Sequence, residues 1–256
     1  MKSFRSAVSK AINSALTGLV LLVAGTLPAV ANTTGNSSSV ALTPFHAQYT
    51  AYKWDDDVGN VEMKLERLSP SQYSLTYSSK VSKFFLSDKR YEHSIFTIED
   101  GSLVPSRYYY SRSGTGPDDK LNVTFGKNES DSILVESEDE SYSLEWNNEI
   151  DNQIYRIDLP RKLASGETAT DYHFINYRGQ KRHYGIEVVG KEKLNLPYGQ
   201  LDTIKIKLVR DSNTRETFAW FAPELDYNLV RLQQFKDGDE QGDIKLRSYV
   251  TLTENR

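Results

Sequence analysis

The chain has 256 residues, with 31 Lys and Arg against 35 Asp and Glu, a formal net charge of −4 and no cysteine. That composition excludes disulfides, thiolate zinc sites, iron–sulfur clusters and a Cys nucleophile. It also argues against nucleic acid or an anionic bilayer as partner, since both need clustered Lys and Arg.

The first 31 residues read as a secretory leader. Lys2, Arg5 and Lys10 precede an apolar run over residues 15–27, and Pro28-Ala29-Val30-Ala31 closes it. This three-part pattern predicts a signal peptide cut between Ala31 and Asn32. Gly18, Gly25 and Pro28 interrupt the run. A membrane span needs roughly 20 apolar residues, so a permanent anchor is the weaker reading. With no Cys after the run, no lipid is attached there. Removing three positive charges leaves about −7 on the exported part. Residues 32–44 begin with a Ser-, Thr-, Asn- and Gly-rich stretch and read as a flexible tether. Residues 45–252 then form one domain, long enough to hold itself by its own core.

Period-two alternation, the signature of a half-buried strand, dominates from Phe45 onward. Phe45, Ala47, Tyr49 and Ala51 share one face. Residues 55–59 predict a turn. Val61, Met63 and Leu65 alternate with Glu62, Lys64 and Glu66. Ser69-Pro70-Ser71 turns the chain again. Tyr73, Leu75, Tyr77 and Val81 mark the next strand, and residues 91–98 another, closed by Asp100-Gly101. Strands are expected at 107–112, 121–125, 133–136 and 142–146. Ile150, Ile154 and Ile157 are spaced by four and three, which is helical. A short helix is expected over residues 151–159, capped by Asp151 and limited by Pro160. Strands resume at 171–177 and 181–189 around Arg178-Gly179-Gln180, then at 203–210, 214–221, 229–235 and 244–252. Many short strands with tight turns give an all-β, mainly antiparallel barrel, half-barrel or sandwich.

Motifs for chemistry are sparse. If the 171–189 hairpin centres on Gly179, His173 and His183 lie diagonally on one face. An imidazole pair normally needs a third ligand and a second shell, so no metal site is assigned. Asp237-Gly238-Asp239-Glu240-Gln241-Gly242 resembles the start of a calcium loop, but its twelfth position is Ser248 rather than Glu. A solvated hairpin turn is expected there. No Gly-x-Ser-x-Gly elbow or phosphate-cradling loop is present. No catalytic residue or cofactor is assigned, and the balance leans away from an enzyme. The aromatics say more. Tyr is frequent, with 16 in the chain. Tyr73 and Tyr77 on one strand, and Tyr108 and Tyr110 on another, are candidate walls of a ligand groove, since Tyr offers an apolar ring and a polar tip.

In the C-terminal half, Leu196-Pro197-Tyr198-Gly199-Gln200-Leu201-Asp202-Thr203 leads into Ile204-Lys205-Ile206. Arg215, Trp220-Phe221-Ala222-Pro223-Glu224-Leu225 and Leu229-Val230-Arg231-Leu232 follow. This series resembles the DUF3108 family of exported bacterial proteins, over about residues 45–250. Leu229 stands where the family usually has Pro before the Val-Arg pair. The resemblance implies a Gram-negative periplasmic protein of no settled activity. It also implies a curved antiparallel half-barrel similar to the lipoprotein carriers LolA and LolB, which shield acyl chains in an apolar concavity. Arg215 and Arg231 lie on strands expected to pair. They are read either as structural partners of Glu216 or Glu224 or as an anion-binding pair at the groove rim.

The sequence therefore predicts a periplasmic, non-enzymatic binding protein. Its concave face would hold an amphiphile, a lipoprotein or an envelope polymer. The rival readings are an envelope-remodelling hydrolase using an Asp/Glu pair and a structural protein-interaction module.

Overall fold

Alternation interrupted by short turns builds a long meander of strands. The computed structural model describes residues 42–83, 85–126, 131–210 and 214–252. The leader, its cleavage site at Ala31–Asn32 and most of the tether lie outside the described residues.

The first eight strands are β1 (Phe45–Lys53), β2 (Asp56–Arg67), β3 (Gln72–Lys83), β4 (Leu86–Glu99), β5 (Ser102–Gly114), β6 (Asp119–Gly126), β7 (Ser132–Ser137) and β8 (Ser141–Glu145). A two-residue strand β9 (Ile150–Asp151) precedes the helix α1 (Tyr155–Ala164). The meander then resumes with β10 (Ala169–Ile175), β11 (Lys181–Leu196), β12 (Gly199–Val209), β13 (Arg215–Ala222), β14 (Asn228–Lys236) and β15 (Asp239–Thr251).

All these strands join one sheet, in which β1 pairs with β15 and the order runs from β8 at one edge to β9 at the other. The ladders are antiparallel except β9–β10, which is parallel. Register shifts at Gln48/Tyr49, Ala51/Tyr52, Ile95/Phe96 and Trp220/Phe221 bend the strands, as an extra residue on one strand must. The result is a curved open sheet, the half-barrel among the three all-β expectations. Side chains reach between its outer strands where no ladder does. Tyr142 Oη donates to Gly179 O at 3.1 Å, and Tyr110 and Tyr177 meet with ring centroids 5.3 Å apart.

Two cores result. The larger joins side chains of β1–β5 and β10–β15 to the buried side of α1. The smaller holds Tyr108, Tyr110, Leu121, Val123, Phe125, Ile133, Val135 and Ile175.

The helix differs from expectation. It runs over Tyr155–Ala164 rather than 151–159, and it passes through Pro160. Ile150 and Asp151 are held in β9 by Phe174 and Ile175. Asp151 Oδ1 then accepts the N–H groups of Gln153 at 2.8 Å and Ile154 at 3.0 Å. This side chain closes a turn ahead of the helix instead of capping it. Pro160 lacks an N–H and disfavours a helix interior by about 3 kcal/mol. Burial of Ile157, Leu159 and Leu163, at about 1.5–3 kcal/mol each, offsets that.

Two turns also shift. The first hairpin turns at Trp54 and Asp55, both with positive φ, so Asp56 and Asp57 already belong to β2. The β10–β11 hairpin centres on Arg178, not Gly179, because Ile175 pairs with Lys181. Asn176 Oδ1 fixes that loop by accepting from Arg178 N at 2.9 Å and Gln180 N at 3.0 Å. The Asp237-Gly238 pair is a two-residue hairpin turn between Lys236 and Asp239, as expected.

Candidate functional site

The concave face of the sheet is covered by α1, and the chemistry gathers where that helix begins. Glu92 and Ser94 project inward from β4, Tyr77 from β3 and Tyr108 from β5, because alternate residues of a strand share a face. Asp151, Asn152 and Gln153 come from the turn ahead of α1, and Arg156 from its first turn. Glu92 is 5% exposed and Asp151 is fully buried.

The cluster is densely bonded around Glu92. Tyr108 Oη donates to Glu92 Oε2 at 2.7 Å, and Asn152 Nδ2 donates to the same oxygen at 2.8 Å. Arg156 Nη2 lies 3.9 Å from Glu92 Oε1, an ion pair rather than a hydrogen bond. The Arg156 guanidinium stacks over Tyr77 at 4.8 Å. Gln153 Nε2 donates to Ser94 Oγ at 3.0 Å. Three buried atoms of this cluster have no hydrogen-bond partner: Asp151 Oδ2, Gln153 Oε1 and Arg156 Nη1.

Burial sets the electrostatics. It raises Asp151 to about 6, with the backbone N–H groups of Gln153 and Ile154 opposing it. Burial and then the Glu92 charge hold the Tyr108 hydroxyl well above its ordinary value. Burial works against the Arg156 charge, but Tyr155, Glu92 and Tyr77 outweigh it and keep the guanidinium protonated.

Two hollows flank α1. An apolar cleft of about 280 Å³ opens between the helix and the β1 rim, lined by Leu42, Phe45, Leu65, Ile157, Pro160 and Tyr227 among others. That is close to the lower end of small-molecule pocket volumes, about 300 Å³. A polar hollow of about 560 Å³ lies by β10, with Asn147, Asn148, Arg161 and His173 in its wall. There Asp158 is already engaged by Tyr172 Oη at 2.9 Å and Lys162 Nζ at 3.3 Å.

The residues singled out from sequence scatter. Tyr77 and Tyr108 join the Glu92–Arg156 cluster. Tyr73 is fully buried and stacks on Phe96 at 5.9 Å, and Tyr110 lies in the smaller core. Arg215 and Arg231 do sit on paired strands, but not as neighbours. Arg215 faces Lys236 and Arg231 faces Trp220. Arg231 makes a bidentate pair with Asp243, at 2.7 and 2.9 Å, rather than with Glu216 or Glu224. Arg215 is exposed. His173 and His183 pair directly, with ring centroids 4.7 Å apart. His183 Nε2 lies 2.9 Å from Asp171 Oδ1. Among the described residues, no group of three His, Asp or Glu is arranged to hold a metal.

Sequence reading missed Glu92, Asn152, Gln153 and Arg156. One signal was available. Arg156 shares a helix face with Leu159 and Leu163, at i+3 and i+7, so a charge stood on an apolar stripe.

A curved antiparallel sheet around one helix, with an apolar cleft beside that helix, defines a β-barrel-like class. Residues 48–245 match the family named Protein of unknown function (DUF3108), and the chain belongs to that family. No curated protein matches the sequence. Among solved structures, the fold is similar to the β-barrel-like DUF1849 protein from Brucella abortus. That match has a TM-score of 0.56 at 8% identity and covers 83% of this chain and 99% of that one. A YmcC-like protein from Bacteroides fragilis matches with a TM-score of 0.30 at 10% identity, over 82% of this chain and 97% of that one. Among the described residues no helix is long and apolar enough to cross a membrane.

Proposed function

We propose that this is a non-enzymatic binding protein of the bacterial envelope that shelters the alkyl part of an amphiphile against its concave face. The observation that carries this reading is the apolar cleft beside α1, where Leu42, Phe45, Leu65 and Ile157 border open space. An alkyl chain transferred there from water gains about 0.8 kcal/mol per buried CH₂. A lipoprotein acyl chain and a free lipid share that chemistry.

The leader pattern supports export to the periplasm. N-terminal sequencing of periplasmic protein is expected to read from Asn32, and an intact Met1 terminus on membrane-bound protein would overturn it. Native mass spectrometry of the same material tests the binding role. Added mass of a lipid is the expected result, and bare protein from every preparation counts against it.

A second reading, hydrolysis by a carboxylate pair, has one observation in its favour. Asp151 is raised to about 6, by burial first and by the nearby Glu92 charge among lesser causes. A buried carboxyl raised toward neutrality is a candidate acid–base group. Both side chains are shut away from solvent, however, and Asp151 Oδ1 is occupied by two backbone N–H groups. The binding reading is therefore preferred.

A further inference from the structure

The helix α1 divides the concave face in two. Ile157, Pro160 and Ala164 border the open cleft. Tyr155, Arg156 and Leu159 border a small cavity of about 20 Å³ against β11–β14. The opposite wall is apolar: Ile186, Ile206, Leu208, Ala219, Phe221 and Leu232 among others. Arg156 brings the one ionic group to that cavity.

One arm of the Arg156 guanidinium is left without a partner. Nη1 is inaccessible to solvent and has no hydrogen-bond partner, a condition that buried donors rarely tolerate. Its ion-pair partner Glu92 stays 3.9 Å away. The reason is visible in the cluster: the other Glu92 oxygen is committed to Tyr108 and Asn152. Tyr77 holds the guanidinium plane from one side. Tyr155 faces it as well, and what remains is a donor fork with Nη1 free, the geometry that selects oxyanions.

We infer that the ligand is an amphiphile with an oxyanion head, and that Arg156 receives that head. This rests on the amphiphile reading above and names its chemical class. Carboxylate and phosphate heads share the recognition chemistry. The cavity at Arg156 has room for about a water or two, so with the tail in the open cleft the head reaches Arg156 by lifting α1 from the sheet. The helix is built for that. It has ten residues, no side-chain cap at its start, and Pro160 inside it. Pro160 denies the Arg156 carbonyl its usual helical donor, and so short a helix depends on packing for its stability.

Titration calorimetry on the full chain tests this with three probes of one dodecyl tail: dodecanoate, dodecyl phosphate and the uncharged dodecyl maltoside. All are used below their micelle concentrations. The two anions are expected to bind roughly tenfold or more tightly than the maltoside, the effect of one charged hydrogen bond. The better of the two anions identifies the source of the head group. Arg156→Gln is expected to reduce the anions to the affinity of the maltoside. Equal affinity for all three probes in the unaltered protein would overturn the inference, and needs no variant to fold. An anion preference that survives Arg156→Gln would overturn it too. Failure of every probe to bind would overturn the amphiphile reading itself.

Discussion

Tyr108 Oη donates to Glu92 Oε2 at 2.7 Å inside the curved sheet, which ties β5 to the cluster at the start of α1. A buried carboxylate that loses one donor is left with less of its desolvation compensated. Tyr108→Phe is expected to lower stability by about 1–3 kcal/mol, read from urea unfolding. A change within about 0.5 kcal/mol, the usual surface range, would mean that Glu92 finds another donor at no cost.

Asp151 gives a pH signature. Its folded carboxyl titrates at about 6 against an ordinary 3.8, because burial disfavours the charge. A group raised in the folded state stabilises most below its unfolded value, and that stability is lost as pH rises through the folded one. Asp151→Asn removes the titration. Each tenfold difference in proton affinity between the folded and unfolded chain is worth about 1.4 kcal/mol. The stability of the variant relative to the parent should therefore climb by roughly 2–4 kcal/mol between about pH 4 and pH 7. A difference that stays flat over that range contradicts the assignment.

Trp220 is 2% exposed, yet it lies among polar partners. Its Nε1 donates to Glu192 Oε2 at 2.9 Å, with Arg231 over the ring at 4.7 Å and Lys205 at 5.0 Å. Trp220→Ala is expected to destabilise by about 3–5 kcal/mol. Thermal unfolding that moves by less than the equivalent of about 1 kcal/mol would show that its neighbours close over the gap.

Gly179 is fixed by two separate constraints. Its φ is +71°, and an added Cβ would meet Tyr142 Oη and Val135 Cγ1 at 2.5 Å each. Gly179→Ala should cost more than the ~1 kcal/mol of a strained backbone alone, because it also pushes β7 and β8 off the β10–β11 loop. Retention of full stability in this variant would show that the contact between the outer strands is dispensable.

Much of the fold was legible because strand alternation is local. Val61, Met63 and Leu65 announce β2 by themselves, and Pro197-Tyr198 does turn β11 into β12, with Leu196 facing Gly199. The helix boundary was not legible, since it depends on β9 pairing with β10 across intervening chain. The hairpin register failed by one residue because Asn176, not Gly179, organises the loop. The candidate site was least legible. Glu92, Tyr108 and Arg156 come from three elements, and only the packing of α1 against the curved sheet brings them together. Tyr108 and Tyr110 share a face and both lie in the smaller core; alternation cannot distinguish a core wall from a groove wall.

The central claim is that the space beside α1 holds an alkyl chain, and a fluorescent fatty acyl probe tests it most directly. Ala164 borders the cleft and is exposed, so Ala164→Trp fills the space with little strain on the core. Saturable binding by the parent protein, weakened roughly tenfold or more in the folded variant as several CH₂ contacts are lost, is the predicted result. No saturable binding by the parent, or equal binding by both proteins, would contradict it.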